Sequence, residues 1–368
     1  MSYLDKLLHG VEVERKTLSE VCEIIRGVRV TKKDLIINGK YPVVSGGIGY
    51  MGYVNEYNRD ENTITIAQYG TAGYVKWQTE KFWANDICFC VNPNIDIILN
   101  RYLYFYLINK QQYLYEISNR TAVPYSIDRN KILKLLIPIP PLSVQKEIVR
   151  ILDSFTELTA ELTAELTARK KQYDYYREKL LSFEGVEVEW KALGEVALIG
   201  TGKHDTQDAV DNGDYIFYAR GISPLKLDTY DFEETAIITA GDGVGVGKVF
   251  HWAVGKYALH QRAYRIVPNE KEINPRYVYH YIVTNFYSYI EKTSVSSSVT
   301  SMRKPMFLKF PIPIPSLEEQ ERIVSILDKF DMLTTSISEG LPREIVLRQK
   351  QYDYYRDLLL TFPKNKIE

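Results

Sequence analysis

The chain has 368 residues, 45% of them hydrophobic, which is enough for the cores of two or three domains and too much for a disordered polymer. Lys and Arg number 46 against 47 Asp and Glu, so the net charge of −1 excludes a uniformly basic protein that coats DNA, and any nucleic-acid surface must be local. Cys22, Cys88 and Cys90 offer neither a disulfide framework nor zinc-ligand spacing, and the absence of a leader pattern or a long apolar run predicts a cytoplasmic protein with no membrane partner.

In chain order, Thr63-Ile64-Thr65-Ile66 reads as a strand from its β-branched composition, and residues near Arg101 to Tyr115 read as a helix. Pro140-Pro141 then stops the preceding pattern. After it, Ile148, Ile151, Phe155, Leu158, Leu162 and Leu166 fall at three- and four-residue steps, the apolar seam of an amphipathic helix. Within that helix Thr159-Ala160-Glu161-Leu162 is repeated as Thr163-Ala164-Glu165-Leu166, and further on Tyr173, Tyr176 and Leu180 share one face. Ala236-Ile237-Ile238-Thr239 is the next strand, and a helix follows near Pro275 to Tyr289. Ile323, Ile326, Phe330 and Leu333 form a second seam, Gly340-Leu341-Pro342 reads as a break, and Tyr352, Tyr355 and Leu359 repeat the other helical face.

These elements form two copies of one unit. Ile137-Pro138-Ile139-Pro140 returns as Ile312-Pro313-Ile314-Pro315, and Gln145, Ile148, Leu152, Asp153 and Phe155 return as Gln320, Ile323, Leu327, Asp328 and Phe330, at an offset of 175. Gly10-Val11-Glu12-Val13-Glu14 matches Gly185-Val186-Glu187-Val188-Glu189, while Gln172-Tyr173-Asp174-Tyr175-Tyr176-Arg177 matches Gln351-Tyr352-Asp353-Tyr354-Tyr355-Arg356 at an offset of 179. Between the blocks only echoes remain: Ala67 with Ala240, Gly70 with Gly243, Trp77 with Trp252, and Tyr102, Tyr104 and Tyr106 with Tyr277, Tyr279 and Tyr281. Lys6-Leu7-Leu8 resembles Lys179-Leu180-Leu181, so the start of the chain continues the last helix of a unit, and the two ends should meet. The predicted fold is two α/β globules joined by two long antiparallel helical segments in a pseudo-twofold cyclic arrangement. Its divisions are 1–140, 141–184, 185–315 and 316–368.

No catalytic constellation emerges. Gly241 to Lys248 lacks the third glycine of a dinucleotide fingerprint and the hydroxyl residue of a P-loop, since Val249 follows the lysine, so a strand-to-strand turn is the simpler reading. The Asn-Pro-Pro-aromatic run of amino-methyltransferases is missing, and His9, His204, His251, His260 and His280 have no metal-ligand spacing. Neither a cofactor nor a metal is expected. Basic residues do cluster at corresponding ends of the globules: Arg26, Arg29, Lys32 and Lys33, with Arg120, Arg129, Lys131 and Lys134, and in the second copy Lys203 and His204, with Lys292, Arg303, Lys304 and Lys309. Such clusters suit phosphate contacts, although a solvated face would look the same.

The Thr-Ala-Glu-Leu repeats at 159–166, the Gln-Tyr-Asp-Tyr-Tyr-Arg blocks and the Ile-Val-x-Ile-Leu-Asp helix starts at 148–153 and 323–328 resemble the specificity subunits of type I restriction-modification enzymes, and among them the IC subfamily. The resemblance runs through the whole chain. It implies a non-catalytic subunit with two target recognition domains, 1–140 and 185–315, each reading half of a split sequence in double-stranded DNA. The helical spacers would set the distance and dock two modification subunits, while two restriction subunits would carry ATP-driven translocation and cleavage. Residues 12–136 hold 16 Lys and Arg against 13 Asp and Glu, and residues 187–311 hold 14 against 15, so the chain alone should bind DNA weakly. Base readers should be polar side chains on exposed loops. The candidates in the first domain are Lys32, Lys33, Gln68, Tyr69, Thr71, Arg120, Tyr125, Ser126 and Arg129. In the second they are His204, Arg220, Asp242, Arg262, Ser296, Ser297, Ser298 and Arg303. The rival readings are a methyltransferase or nuclease in its own right, and a coiled-coil adaptor that joins proteins without DNA.

Overall fold

The computed structural model describes residues 3–243, 245–293, 302–336 and 338–362, apart from the side chains of Asp5 and Thr293. Two compact units divide the chain. One runs from Met1 to Leu162 and resumes at Glu344, and the other spans Thr163–Arg343.

In the first unit a four-stranded sheet takes its strands in the order Cys22–Arg26, Cys88–Pro93, Thr63–Ala67, Val75–Gln78, all antiparallel. A smaller sheet places Tyr41–Val44 between Gly52–Val54 and the short parallel partner Trp83–Ala84. The expected helix is two, Asn100–Asn109 and Gln111–Glu116, with Lys110 between them. Thr63–Ala67 is buried along nearly its whole length, which explains why its sequence does not alternate.

The second unit repeats this plan with one change. Its six strands lie in the order Ala197–Thr201, Ala263–Pro268, Phe232–Ala240, Phe250–Leu259, Tyr215–Tyr218, Leu225–Leu227. The ten-residue strand Phe250–Leu259 does the work of two separate strands in the first unit, Val75–Gln78 and Trp83–Ala84. Parallel pairing recurs at the same place: Phe217 faces Ala258 here, and Val43 faces Trp83 there. In the first unit the strand is interrupted over 79–82, where the fully buried Phe82 turns into the core and bridges Arg59. One continuous sheet therefore becomes two. The glycine-rich segment after Ala240 is a turn between two paired strands, Thr239 facing Phe250, as its spacing predicts.

Each globule is joined to a helix by the residues that recur in the sequence. Leu142–Leu180 is one helix of 39 residues that begins directly after Pro141, whose carbonyl accepts from the Val144 and Gln145 amides. Gln145 is fully buried; its Nε2 donates to Pro140 O at 2.9 Å and Ile97 O at 3.0 Å, and its Oε1 accepts the Leu99 amide at 2.8 Å. Gln320 in helix Leu317–Thr335 does the same for Pro315 O and the Asn274 amide, both at 2.8 Å. Arg101 pairs with Asp153 and Arg276 with Asp328, each at 2.7 Å, and each guanidinium lies over a tryptophan and a tyrosine: Trp77 and Tyr104, or Trp252 and Tyr279. Tyr102 Oη donates to Pro138 O and Tyr277 Oη to Pro313 O, both at 3.0 Å.

The helical segments are not bodies of their own. Ile148 and Leu152 join the first unit's core together with Leu359 and Leu360 from the end of the last helix, Phe362 just beyond it, and Leu4 and Leu8 from the start of the chain. Arg15 Nη2 reaches Phe362 O at 3.1 Å, so the described segments nearest the two ends lie together, in line with the expectation. In the second unit Ile323 and Leu327 pack with Leu181 and, at the rim, Tyr173, Leu180 and Phe183. Phe155 stacks on Tyr355, and Phe330 on Tyr173 and Tyr176, with centroids 5.3 to 5.9 Å apart. Leu152 is fully buried, like Ile148, whereas Ile151 of the predicted seam is only half-buried. The second helical segment breaks between Thr335 and Gly340, where the last helix, Gly340–Leu360, begins. Among the described residues no helix is long and apolar enough to cross a membrane.

Candidate nucleic-acid interface

In the first unit four of the candidates come together at one end of the larger sheet. Gln68 follows strand Thr63–Ala67; its amide donates to Ile87 O and its carbonyl accepts from Ile127, both at 2.9 Å. This zips Tyr69 against Ser126, while the Gly70 amide donates to Tyr125 O at 3.0 Å. Gln68, Tyr69, Ser126 and Arg129 then line a surface hollow of about 760 Å³ with Glu23 and Arg26. Gln68 is 6% exposed, and its buried Oε1 accepts no hydrogen bond among the described residues. Arg129 opens the short helix Arg129–Leu133, which Asp128 caps by accepting the Asn130 amide at 2.7 Å.

The other candidates of this unit sit apart from the hollow. Arg120 lies over the Tyr115 and Tyr125 rings at 4.8 and 5.2 Å, with its Nε donating to Tyr115 O. Thr71 spends its hydroxyl on Gly46 O at 2.7 Å, so it shapes the turn. Lys32 and Lys33 stand exposed on a single 3-10 turn closed by Thr31 and Asp34, held near the Asn85 side chain by the Val30 amide.

The second unit repeats the backbone frame. The Gly241 amide donates to Arg262 O at 2.8 Å, and the Gly241 carbonyl accepts from Met302 at 2.7 Å. Gly27 and Gly202 are equivalent too, since a Cβ on either would collide with the carbonyl of Ala84 or Leu259. On this frame Asp242 accepts Arg220 Nη1 at 2.8 Å and Arg262 Nη1 at 3.1 Å. Partial burial works against the Asp242 charge, yet the hydrogen bonds and charges of Arg220 and then Arg262 prevail and hold its carboxyl below the usual range. Arg303 is exposed and precedes helix Lys304–Leu308.

His204 belongs to the scaffold. Its Nε2 lies 3.1 Å from Asp231 Oδ1 and its ring meets Phe217 edge-on, while Asp231 also accepts the Leu259 amide and pairs with Lys203. Ser296, Ser297 and Ser298 lie outside the described residues. Sequence reasoning missed His260, which is buried, stacked against Phe217, and takes the Arg262 amide on Nδ1 at 2.9 Å. Burial first, and the Arg220 charge next, push its pKa below the ordinary value of 6.5 and favour the neutral ring that this bond requires. No group of three or more metal-ligating side chains occurs among the described residues.

Two domains with matching frames and different side chains, each tied to a helix by the same residues, define a protein built from two copies of one domain-and-helix unit. The sequence model of the type I restriction modification DNA specificity domain matches residues 10–169 and again 185–347, and the chain belongs to that family. It is 38% identical to the Escherichia coli EcoR124I/EcoR124II specificity subunit, with 99% of this chain and 98% of that protein aligned. A Haemophilus influenzae putative type I specificity subunit is 36% identical, with 98% of both chains covered. The crystal structure of a type I S subunit from M. genitalium superposes with a TM-score of 0.71 over 99% of this chain and all of that one, at 18% identity.

Proposed function

We propose that this chain is the DNA-reading subunit of a cytoplasmic type I restriction-modification complex, in which domains 1–140 and 185–315 each read one half of a bipartite double-stranded target. The observation that carries this is the duplicated frame at Gln68 and Gly241, with identical backbone bonds and unlike side chains around them. A scaffold kept constant while its loop residues diverge is what two readers of different half-sites require.

The helices would hold the readers at a fixed spacing and offer surfaces to two modification subunits, with two restriction subunits completing the assembly. Near-neutral domains lack the charge to grip the phosphate backbone alone, so the modification subunits would close around the duplex and supply contacts. As a specificity subunit the chain contributes recognition, and its partners contribute chemistry. A gel shift tests the reading. Tight, sequence-selective binding should appear only when the chain is combined with its modification subunit; selective methylation or cleavage by the purified chain would overturn it. Simultaneous engagement of two half-sites raises effective concentration only at the correct gap, which makes selectivity a property of the pair.

A further inference from the structure

The two equivalent sheet ends differ at two positions that bear on charge. Where the first domain has Tyr69 and Ile87, the second has Asp242 and Arg262, as the shared bonds of Gln68 and Gly241 establish. Asp242 accepts Arg220 on one oxygen and Arg262 on the other, and each guanidinium uses only its Nη1. Nε and Nη2 of both arginines have no acceptor among the described residues. The Arg262 side chain is 62% exposed, against 24% for Asp242.

An arginine presenting two unspent N–H groups in one plane matches the O6 and N7 acceptors of guanine in the major groove. A free arginine on a loop loses rotamer entropy when it docks, and one already held by a carboxylate loses less. Here the backbone is fixed as well: the Arg262 amide is bonded to His260 Nδ1 and its carbonyl to the Gly241 amide. Each Asp242 oxygen already accepts one guanidinium N–H, so the carboxylate charge is shared between the two arginines. Two guanidinium charges against one carboxylate leave the trio net positive, which suits a DNA surface.

We propose that Arg262 reads a guanine in the half-site of the second domain and that Asp242 is a positioning residue that aims the guanidinium. This rests on the reading of the chain as a DNA-recognition subunit. Arg220 shares the carboxylate and keeps it from repelling the duplex. The first domain, with Ile87 at the corresponding place, reads its half-site by other means.

The test is methylome mapping in a methylation-deficient host that expresses the full chain with its modification partners. Arg262→Gln should relax one G·C position of one half-site by roughly 5- to 150-fold, the span of discrimination a bidentate contact gives. Asp242→Asn should relax the same position less, and Asp242→Glu should restore part of the preference. The other half-site must remain unchanged, which also certifies that the complex has assembled. Uniform weakening with unaltered base preference would make Arg262 a phosphate contact and overturn the proposal, as would relaxation at an A·T pair or Asp242→Asn acting at a different position. Failure of the underlying reading looks different: the parent chain itself would give no bipartite motif.

Discussion

Gln145 and Gln320 show how single buried amides fasten a globule to its helix. Replacing Gln145 with Leu would strand Leu99 N–H and the carbonyls of Ile97 and Pro140. At about 1–3 kcal/mol for an unmade buried bond, with some relaxation, a loss of about 3 kcal/mol is expected. Hydrogen exchange read peptide by peptide checks this: protection should fall in the first unit and persist in the second. Asp328 gives a pH signature. Burial works against its charge, but bonds to His280 and Arg276 hold its pKa below the ordinary 3.8. A depressed carboxylate stabilises the fold above its unfolded pKa, and that stability is lost as pH falls through the folded value. The difference in urea midpoint between the parent and Asp328→Asn should therefore be full at pH 6 and shrink below about pH 3.8. An equal difference at both ends would show that the ion pair contributes nothing.

At the scale of elements, the helices were the most legible part of the sequence, because the residues repeated at 145, 153 and 155 are those whose contacts are made twice. The sheets were less so. Nothing in 79–82 announces that Phe82 leaves the strand for the core, because that is settled by partners distant in the chain. Gln68, Tyr69, Ser126 and Arg129 were picked singly as polar loop residues, and what brings them together is the long-range pairing of Gln68 with Ile127 and Tyr69 with Ser126; the His204–Asp231 contact likewise crosses 27 residues without a pattern. On the helix faces, Tyr173 and Tyr176 stack on Phe330, while Tyr175 and Tyr354 are 57% and 63% exposed. Tyr175→Ala and Tyr354→Ala should weaken assembly with modification subunits while leaving the circular dichroism spectrum unchanged. Undiminished complex formation on a sizing column would speak against a docking role. The Thr-Ala-Glu-Leu repeats lie inside the uninterrupted helix Leu142–Leu180, and the boundary between the two units falls between them, at Leu162. One added tetrapeptide lengthens a helix by ~6 Å and turns it by about +40°. A base pair rises ~3.4 Å and turns about 34°. Twist favours one added pair and rise about two, so with the partner helix unextended the gap should grow by about one base pair. Methylated-site mapping reads this directly, and a constant gap would deny the helix its role as a ruler.

For the molecule as a whole, the chain crosses from one unit to the other and back. Each core is closed by a helix end from the other copy: Leu359 and Leu360 in the first unit, Leu181 in the second. That arrangement predicts that each domain is replaceable, since the residues that anchor it to helices are duplicated and those at its sheet end are not. The broken glycine spacing at 241–248 adds the expectation that calorimetry of the purified chain detects neither S-adenosylmethionine nor ATP. The central claim, two domains that read independently, is tested most directly by exchanging residues 185–311 for the matching domain of a relative and mapping methylated sites in the host. The account predicts that one half-site is replaced while the other half-site and the gap persist; a change in both half-sites would contradict it.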